Sequence, residues 1–269
     1  MGSGFPTMPS PFAYLLQVAR TALGFAVFGV MASVLGLVAL PLARIRSHDA
    51  LERALWMQRV VHRAARIFMW LIDTLGAVKS QGHGVERLAE AGPQLVVANH
   101  PTLIDVLALL AFMPQADLVV SVARVDNPFL RRLIQACGYL RNDDGPAIVA
   151  ECVDRIRAGR SLIVFPEGTR SPKRGLRRLQ RGAAHIALRA PCDLLPVMIT
   201  CDPPAFGKGQ KWYDLPDRAV RMTLMVGEPI AAESVLGEGM PPPVAARRLT
   251  SQLRETFEKG LEIADAGIS

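Results

Sequence analysis

Two short segments hold residue types whose spacing can do chemistry. The first is Asn99-His100-Pro101-Thr102-Leu103-Ile104-Asp105. A histidine here can act as a general base, and a carboxylate on its other ring nitrogen fixes the tautomer and stabilises the imidazolium as it forms. Among the five histidines only His100 has an Asp at this five-residue offset. The same residues also fit a capping box, Thr102-x-x-Asp105, in which Asp105 only reaches back to a helix-start amide. The second segment is Phe165-Pro166-Glu167-Gly168-Thr169-Arg170-Ser171. A turn built on Pro and Gly exposes Glu167, Thr169 and Arg170, and Arg suits bidentate phosphate recognition. Lys173, Arg174, Arg177, Arg178 and Arg181 follow, so residues 170–181 carry six basic groups and no acid. By itself that stretch also reads as a solvated basic loop.

Both segments directly follow short apolar runs, QLVVA at 94–98 and SLIVF at 161–165. Further runs of strand length lie at 117–123, 194–201 and 221–226, and helical periodicity occupies 102–113, 127–137, 145–158 and 180–190. Strands alternating with such helices predict an α/β fold with a mixed, largely parallel sheet flanked by helices. Ligands gather beyond the carboxyl ends of strands in sheets of this kind, which is where both segments fall. Residues 244–263 read as a C-terminal helix, 202–220 as a Pro/Gly/Lys-rich loop, and no internal repeat is present. Cys137, Cys152, Cys192 and Cys201 form no C-x-x-C pair and have no His at metal-ligand spacing, so they read as buried reduced thiols. The P-loop, H-E-x-x-H and G-x-S-x-G patterns are absent, which argues against an NTPase, a zincin and an α/β-hydrolase.

The 269 residues suit one compact domain with an appendage. Half of them are hydrophobic, mean hydropathy is +0.24 and net charge is +7. That charge permits nucleic acid, anionic lipid or phosphorylated partners, and the greasiness favours lipid. It is concentrated between Thr21 and Ala43, where no side chain is charged. About 20 apolar residues match a hydrocarbon core of roughly 30 Å. Residues 1–19 lack Lys and Arg and the run exceeds a signal-peptide h-region, so a membrane anchor is expected rather than a cleaved leader. A run this long is apolar on every face, which also argues against a buried core helix. Residues 51–76 set Leu55, Trp56, Val60, Ala64, Ile67, Phe68, Leu71 and Leu75 at helical spacing against Arg59, Arg63 and Arg66. Such a helix either lies in the headgroup layer or packs on the catalytic domain. Arg44, Arg46, Arg53 and Arg59 follow the apolar run and only Arg20 precedes it, so a spanning run would leave the rest of the chain in the cytoplasm. A hairpin dipping into one leaflet is the other arrangement. The expected division is therefore 1–76 as membrane-anchoring helices and 77–269 as a catalytic domain.

Taken together, Asn99-His100-x4-Asp105 and the later Phe165-Pro166-Glu167-Gly168-Thr169-Arg170-Ser171 resemble the 1-acylglycerol-3-phosphate acyltransferase family, which includes lysophospholipid acyltransferases. Gly138-Tyr139-Leu140-Arg141 is similar to the family's second block and Leu195-Pro196-Val197-Met198-Ile199 to its fourth. Arg181-Gly182-Ala183 stands where members usually have Lys-Gly-Ala. The resemblance covers about residues 77–230. It implies acyl transfer from an acyl-CoA or acyl-carrier-protein thioester to the hydroxyl of a lysophospholipid, most simply 1-acyl-sn-glycerol-3-phosphate, at a cell inner membrane with the catalytic domain on the cytoplasmic face. His100 and Asp105 would be catalytic. Asn99, Arg141, Glu167, Gly168, Thr169, Arg170 and Arg181 would bind substrate, Arg141 and Arg170 by charge. No metal, other cofactor or nucleic acid is implied; the partners are membrane lipid, donor and acceptor. The filling Pro101-Thr102-Leu103-Ile104 and the Trp212-Tyr213 loop look more like a short bacterial subgroup, in which a non-phosphate acceptor such as a lyso-ornithine or aryl polyene lipid is the alternative. A membrane-bound thioesterase or hydrolase, or a non-catalytic lipid-binding protein, are the readings from other classes.

Overall fold

The computed structural model describes residues 11–90, 92–120, 128–142, 147–172, 175–190, 192–216, 218–236 and 240–267. Among the described residues, seven strands form one sheet: β1 (Val78–His83), β2 (Leu95–Ala98), β3 (Asp117–Val120), β4 (Leu140–Arg141), β5 (Leu162–Val164), β6 (Leu194–Asp202) and β7 (Val220–Val226). Their spatial order is β1-β7-β6-β2-β5-β3-β4; β6 and β7 pair antiparallel and the other neighbouring strands pair in parallel. The mixed, largely parallel α/β sheet read from the sequence is what the chain forms. Residues 121–123 of the third expected strand lie outside the described residues.

The sheet is covered on both faces, which is why its central strands read as unbroken apolar runs. Side chains alternate between faces along each strand. Val96 and Ala98 of β2 therefore pack into a layer with Met57, Val61 and Phe68, while Leu95 and Val97 meet Ile156, Leu253 and Phe257. The first layer belongs to α3 (Ala50–Thr74) and α4 (Asp105–Leu110). The second belongs to α6 (Ala147–Arg157), α7 (Gly182–Ala187) and α8 (Pro242–Gly267). α5 (Pro128–Ala136) leads into β4.

The helix that contains the N-terminal apolar run extends beyond 21–43 at both ends. It is one helix from Pro11 to Arg46, made of α1 (Pro11–Val34), a π turn (Leu35–Ala39) and α2 (Leu40–Arg46). Pro41 lacks an N–H and its ring crowds the carbonyl four residues back, and the widened turn just before it absorbs that clash. By length and composition this helix can cross a membrane. It is not free on every face, however. Gln17, Thr21, Gly24, Leu35, Ala39 and Ala43 are buried against the protein, while Phe12, Leu15, Val30, Leu37 and Ile45 remain exposed.

α3 also departs from its expected face. The packed stripe is Ala54, Met57, Val61, Ala65, Phe68 and Ile72, rotated by about one residue from the one anticipated. Ile67 and Trp70 stay exposed, as do Arg59, Arg63 and Arg66. Asp49 caps this helix by accepting the Glu52 N–H at 2.7 Å.

Candidate active site

Strands β2, β5, β3, β4 and β6 run parallel, so their carboxyl ends share one edge. His100 follows β2, Glu167 to Arg170 follow β5, Arg141 ends β4, and the 203–207 loop follows β6. The topology thus brings together segments separated by about a hundred residues.

At the centre, Nδ1 of His100 lies 2.8 Å from Oδ2 of Asp105. Asp105 is wholly buried, and the same oxygen accepts the Thr102 N–H at 2.7 Å while Oδ1 accepts the Thr102 hydroxyl. One carboxylate therefore makes both the capping bond to Thr102 and the bond to the His100 ring. α4 starts at Asp105 rather than at 102, because Pro101 to Ile104 form a bent loop that this carboxylate ties back to the helix. Burial pushes the Asp105 carboxyl up from its ordinary range, and the bonds from His100 and Thr102 oppose the rise. A carboxylate at Nδ1 sets that nitrogen as the donor, leaving the Nε2 lone pair to accept a proton. The imidazole stacks on Phe165 with ring centroids 4.5 Å apart, which fixes its plane.

The Glu167 carboxylate is buried beneath this loop. Oε1 accepts the His100 N–H at 3.1 Å and the Ser171 hydroxyl; Oε2 accepts the Arg177 N–H at 3.0 Å. Ser171 in turn donates its own N–H to the His100 carbonyl at 2.6 Å. Glu167 therefore holds the backbone of the histidine, and its carboxylate is engaged inside the protein. Asn99 is likewise buried, donating to the Ile199 carbonyl at 2.8 Å and accepting the Ile199 N–H at 2.6 Å. It bolts the β2 exit to β6.

Arg170 reaches across the edge. Its Nη1 donates to the carbonyls of Phe206 and Gly207 at 3.0 and 2.9 Å. Phe206 has φ of 57°, a left-handed conformation that costs a non-glycine residue about 1–2 kcal/mol. These bonds to consecutive carbonyls help hold it there. Gly168 has φ of 65° in the turn closed by its N–H on the Phe165 carbonyl, a conformation that suits glycine. Thr169 is half-buried beside it. Gln180 donates to the Pro166 carbonyl at 2.7 Å, bringing Arg181, the residue preceding α7, back toward the turn. Arg141 is exposed on β4, three strand positions from β2 and so roughly 14 Å away along the sheet. Lys173 and Arg174 lie outside the described residues. Phe165, Ser171 and Phe206 were not singled out as site residues from the sequence; Ser171 and Phe165 flank the Glu-Gly-Thr-Arg turn, and that adjacency was the available signal.

Residues 79–200 match the Acyltransferase family model. That matched segment, just under half of the chain, carries the similarity to the acyltransferase family. The chain is 21% identical over 216 residues to mouse 1-acyl-sn-glycerol-3-phosphate acyltransferase alpha, covering 77% of this chain and 71% of that one. The 1-acyl-sn-glycerol-3-phosphate acyltransferase of Pseudomonas aeruginosa is 23% identical over 206 residues, with 73% and 74% covered. Coconut 1-acyl-sn-glycerol-3-phosphate acyltransferase is 24% identical over 198 residues, and the match spans 69% of this chain but only 59% of that protein. Among solved structures, the 1-acyl-sn-glycerophosphate (LPA) acyltransferase PlsC from Thermotoga maritima shares the fold, with a TM-score of 0.67 at 20% identity over 91% of this chain and 97% of that one.

Two cavities flank the loop that carries His100. One, of about 330 Å³, is apolar and lies between α1, α3, α4 and α5; Leu103, Ile104 and Phe206 bound it on the His100 side. The other, of about 550 Å³, is polar and bounded by Asn99, Pro101, Ser171, Arg177, Gly207 and Lys208. The 203–207 loop gripped by Arg170 separates them. Burial pushes the thiols of Cys137, Cys152 and Cys201 up to about 12 and that of Cys192 up to about 11, so none is a ready thiolate nucleophile. Among the described residues, no cluster of three His, Cys, Asp or Glu side chains is placed to hold a metal ion.

Proposed function

We propose that this acyltransferase moves a fatty acyl group from a thioester, acyl-CoA or acyl-carrier protein, to the free hydroxyl of a lysophospholipid of the 1-acyl-sn-glycerol-3-phosphate class, giving phosphatidic acid. The observation that carries the reading is the oriented pair His100–Asp105 at the strand edge, beside a cavity able to take an apolar chain. The names of the curated relatives support the acceptor.

The acceptor hydroxyl gives its proton to Nε2 of His100 as its oxygen attacks the thioester carbonyl. Asp105 stabilises the imidazolium through Nδ1. Collapse of the tetrahedral intermediate breaks the C–S bond, and the imidazolium returns the proton to the leaving sulfur. Atoms and protons balance with the thioester as the only co-substrate. General-base catalysis of this kind contributes typically 10²–10⁴-fold, and the remainder falls to holding both substrates in line.

The long apolar helix supplies the membrane seat. One face of α1 is packed on the catalytic core along much of its length, and the other presents Phe12, Leu15, Leu16, Leu23 and Val30. That asymmetry supports insertion into a single leaflet rather than a free span. Trp70 and Ile67 on α3 stand beside Arg59, Arg63 and Arg66, a composition suited to anionic headgroups. The basic flank after the apolar run supports the cytoplasmic face of an inner membrane.

The test is purified protein in lipid micelles with a labelled acyl thioester and a panel of lyso-acceptors. Thiol release matched by a new diacyl phospholipid is expected. Turnover confined to acceptors without a phosphate would overturn the acceptor assignment, and free fatty acid as the product would make it a thioesterase.

A further inference from the structure

We propose that a third cavity, on the edge of the sheet opposite His100, binds a phosphate group, and that its occupant is the headgroup of an anionic membrane phospholipid. The cavity, of about 600 Å³, lies between α2, α3, α5 and the approach to β4, and its size is that of natural ligand pockets. Gly138, which lines it, precedes β4, and Arg155, which also lines it, lies 3.8 Å from Asp117, the first residue of β3. Both strands run parallel with β2 and β5, so the cavity sits at their amino ends and His100 at their carboxyl ends. Among the described residues it shares no lining with the two cavities beside His100. α5 stands between them, with Leu130, Leu133 and Ile134 on the apolar cavity and Arg132 and Gln135 on this one.

Four arginines line it, Arg44, Arg53, Arg132 and Arg155, and among the described residues no acid does. Arg44 and Arg53 flank the turn between α2 and α3, whereas Arg132 and Arg155 come from α5 and α6, so the fold gathers a charge that the sequence spreads out. Arg155 is matched by Glu151 at 3.0 Å, and Asp117 is bonded more closely to Arg160 than to Arg155, at 2.5 Å. Arg53 donates from Nη1 to the Ser47 and His48 carbonyls at 3.1 and 2.6 Å, which positions the side chain without neutralising it. The acids nearest to it in sequence are engaged in the turn: Asp49 accepts the Glu52 N–H at 2.7 Å, and Glu52 accepts the Ser47 hydroxyl. Among the described residues, Arg44, Arg53 and Arg132 make no ion pair. Like charges gathered in this way repel, and a bound anion relieves the repulsion. The planar guanidinium fork matches the oxygens of a phosphate.

The position of the cavity selects the lipid. α2 ends the 36-residue helix that is long and apolar enough to cross a membrane. Leu40 and Leu51 line the cavity beside the arginines, and Leu42, Ile45 and Leu51 are exposed around the same turn. Arginine next to exposed leucine and isoleucine fits a phospholipid, whose phosphate continues directly into apolar chains. A free phosphate makes no use of the apolar rim.

The test is calorimetry of the full chain in neutral detergent with dihexanoyl phosphatidylglycerol below its micelle concentration, and with inorganic phosphate. Wild type is set against Arg44→Gln/Arg132→Gln, two exposed side chains that line the cavity, and against Arg46→Gln/Arg59→Gln, which removes the same charge from exposed positions outside it. The first pair is expected to weaken lipid binding at least about tenfold, as for loss of charge-assisted hydrogen bonds. The second pair should stay within about twofold of wild type. Arg132→Gln alone, weakening binding at least about threefold, is the check should the double variant show a lowered Tm. No saturable lipid binding by wild type, or equal weakening in both pairs, overturns the proposal. Inorganic phosphate binding as tightly as the lipid overturns the lipid as occupant. Acyl transfer in the same detergent separates this site from the active one: kcat and acceptor KM of the first pair should stay within about twofold of wild type. An acceptor KM that rises in step with the lost lipid affinity would make the cavity the acceptor's own site and overturn the proposal.

Discussion

Replacing Asp105 by Asn changes one oxygen to an NH₂ group in the middle of the site, and the surroundings dictate how the amide must sit. The position of Oδ2 faces two donors, the Thr102 N–H at 2.7 Å and His100 Nδ1 at 2.8 Å, whereas the position of Oδ1 faces only the Thr102 hydroxyl. The amide oxygen therefore takes the Oδ2 place, and the NH₂ donates to the hydroxyl, which can rotate to accept. The histidine keeps its tautomer, so the roughly 10⁴-fold loss seen when an amide imposes the wrong one is avoided. What disappears is the negative charge behind the imidazolium. A hydrogen bond to a charged group contributes about 1.5–3 kcal/mol, which corresponds to a fall in kcat of roughly 10- to 150-fold. Stability should move the other way. Because burial raises the Asp105 carboxyl, the folded state binds its proton at a pH where the unfolded chain has released it. The ionised group therefore weakens the fold as pH rises above the unfolded value of 3.8. Asp105→Asn should keep or raise Tm at neutral pH, with the difference from wild type shrinking as the medium is acidified through the Asp105 range. The assays are steady-state acyl transfer in mixed micelles and thermal unfolding at several pH values. Wild-type kcat in the variant, or a loss of activity accompanied by a Tm drop of many degrees, would refute this reasoning.

Glu167→Ala takes the acceptor from the Ser171 hydroxyl and the Arg177 N–H and leaves the His100 N–H only the Ser171 Oγ at 3.1 Å, so a destabilisation of about 2–4 kcal/mol is expected, read as a large fall in Tm. Arg170→Ala releases the Phe206 and Gly207 carbonyls; it should lower kcat and Tm by about 1–3 kcal/mol in stability while leaving acceptor KM within about threefold, and a rise in KM alone would restore a phosphate-binding role. Asn99→Ala leaves both polar groups of Ile199 unpaired inside the protein, which should cost about 2–3 kcal/mol in a denaturant titration. Replacing Arg59, Arg63 and Arg66 together by Gln should weaken sedimentation with anionic vesicles by about 1 kcal/mol per charge and leave binding to neutral vesicles nearly unchanged.

The positions of the two candidate segments were legible because buried parallel strands announce themselves as short apolar runs, and QLVVA and SLIVF each end two residues before His100 and Glu167. β1 was not legible: Val78–His83 reads VKSQGH, and only its pairing with β7 makes it a strand. β4, at Leu140–Arg141, is too short for any periodicity. The roles of Glu167 and Asn99 depend on partners 67 and 100 residues away, a distance no local pattern encodes. Residue type pointed Glu167, Asn99 and Arg170 toward substrate, whereas their hydrogen bonds are made to His100, Ile199 and the 206–207 carbonyls. The long N-terminal helix was recognised by its greasiness, yet hydropathy does not distinguish a face against lipid from one against protein. Its burial at Thr21, Gly24 and Leu35 shows the second surface.

The central claim is that the imidazole of His100 takes the acceptor's proton with no covalent acyl-enzyme. The most direct measurement is acyl transfer by purified His100→Ala beside wild type, following thiol release and diacyl lipid together. The expected result is a fall of at least about 10²-fold in kcat with Tm preserved, because this side chain is partly exposed and its loss leaves the loop bonds of Glu167 and Ser171 intact. Near-wild-type transfer by His100→Ala, or a stoichiometric burst of thiol from wild type that leaves labelled acyl group bound to the protein, would contradict it.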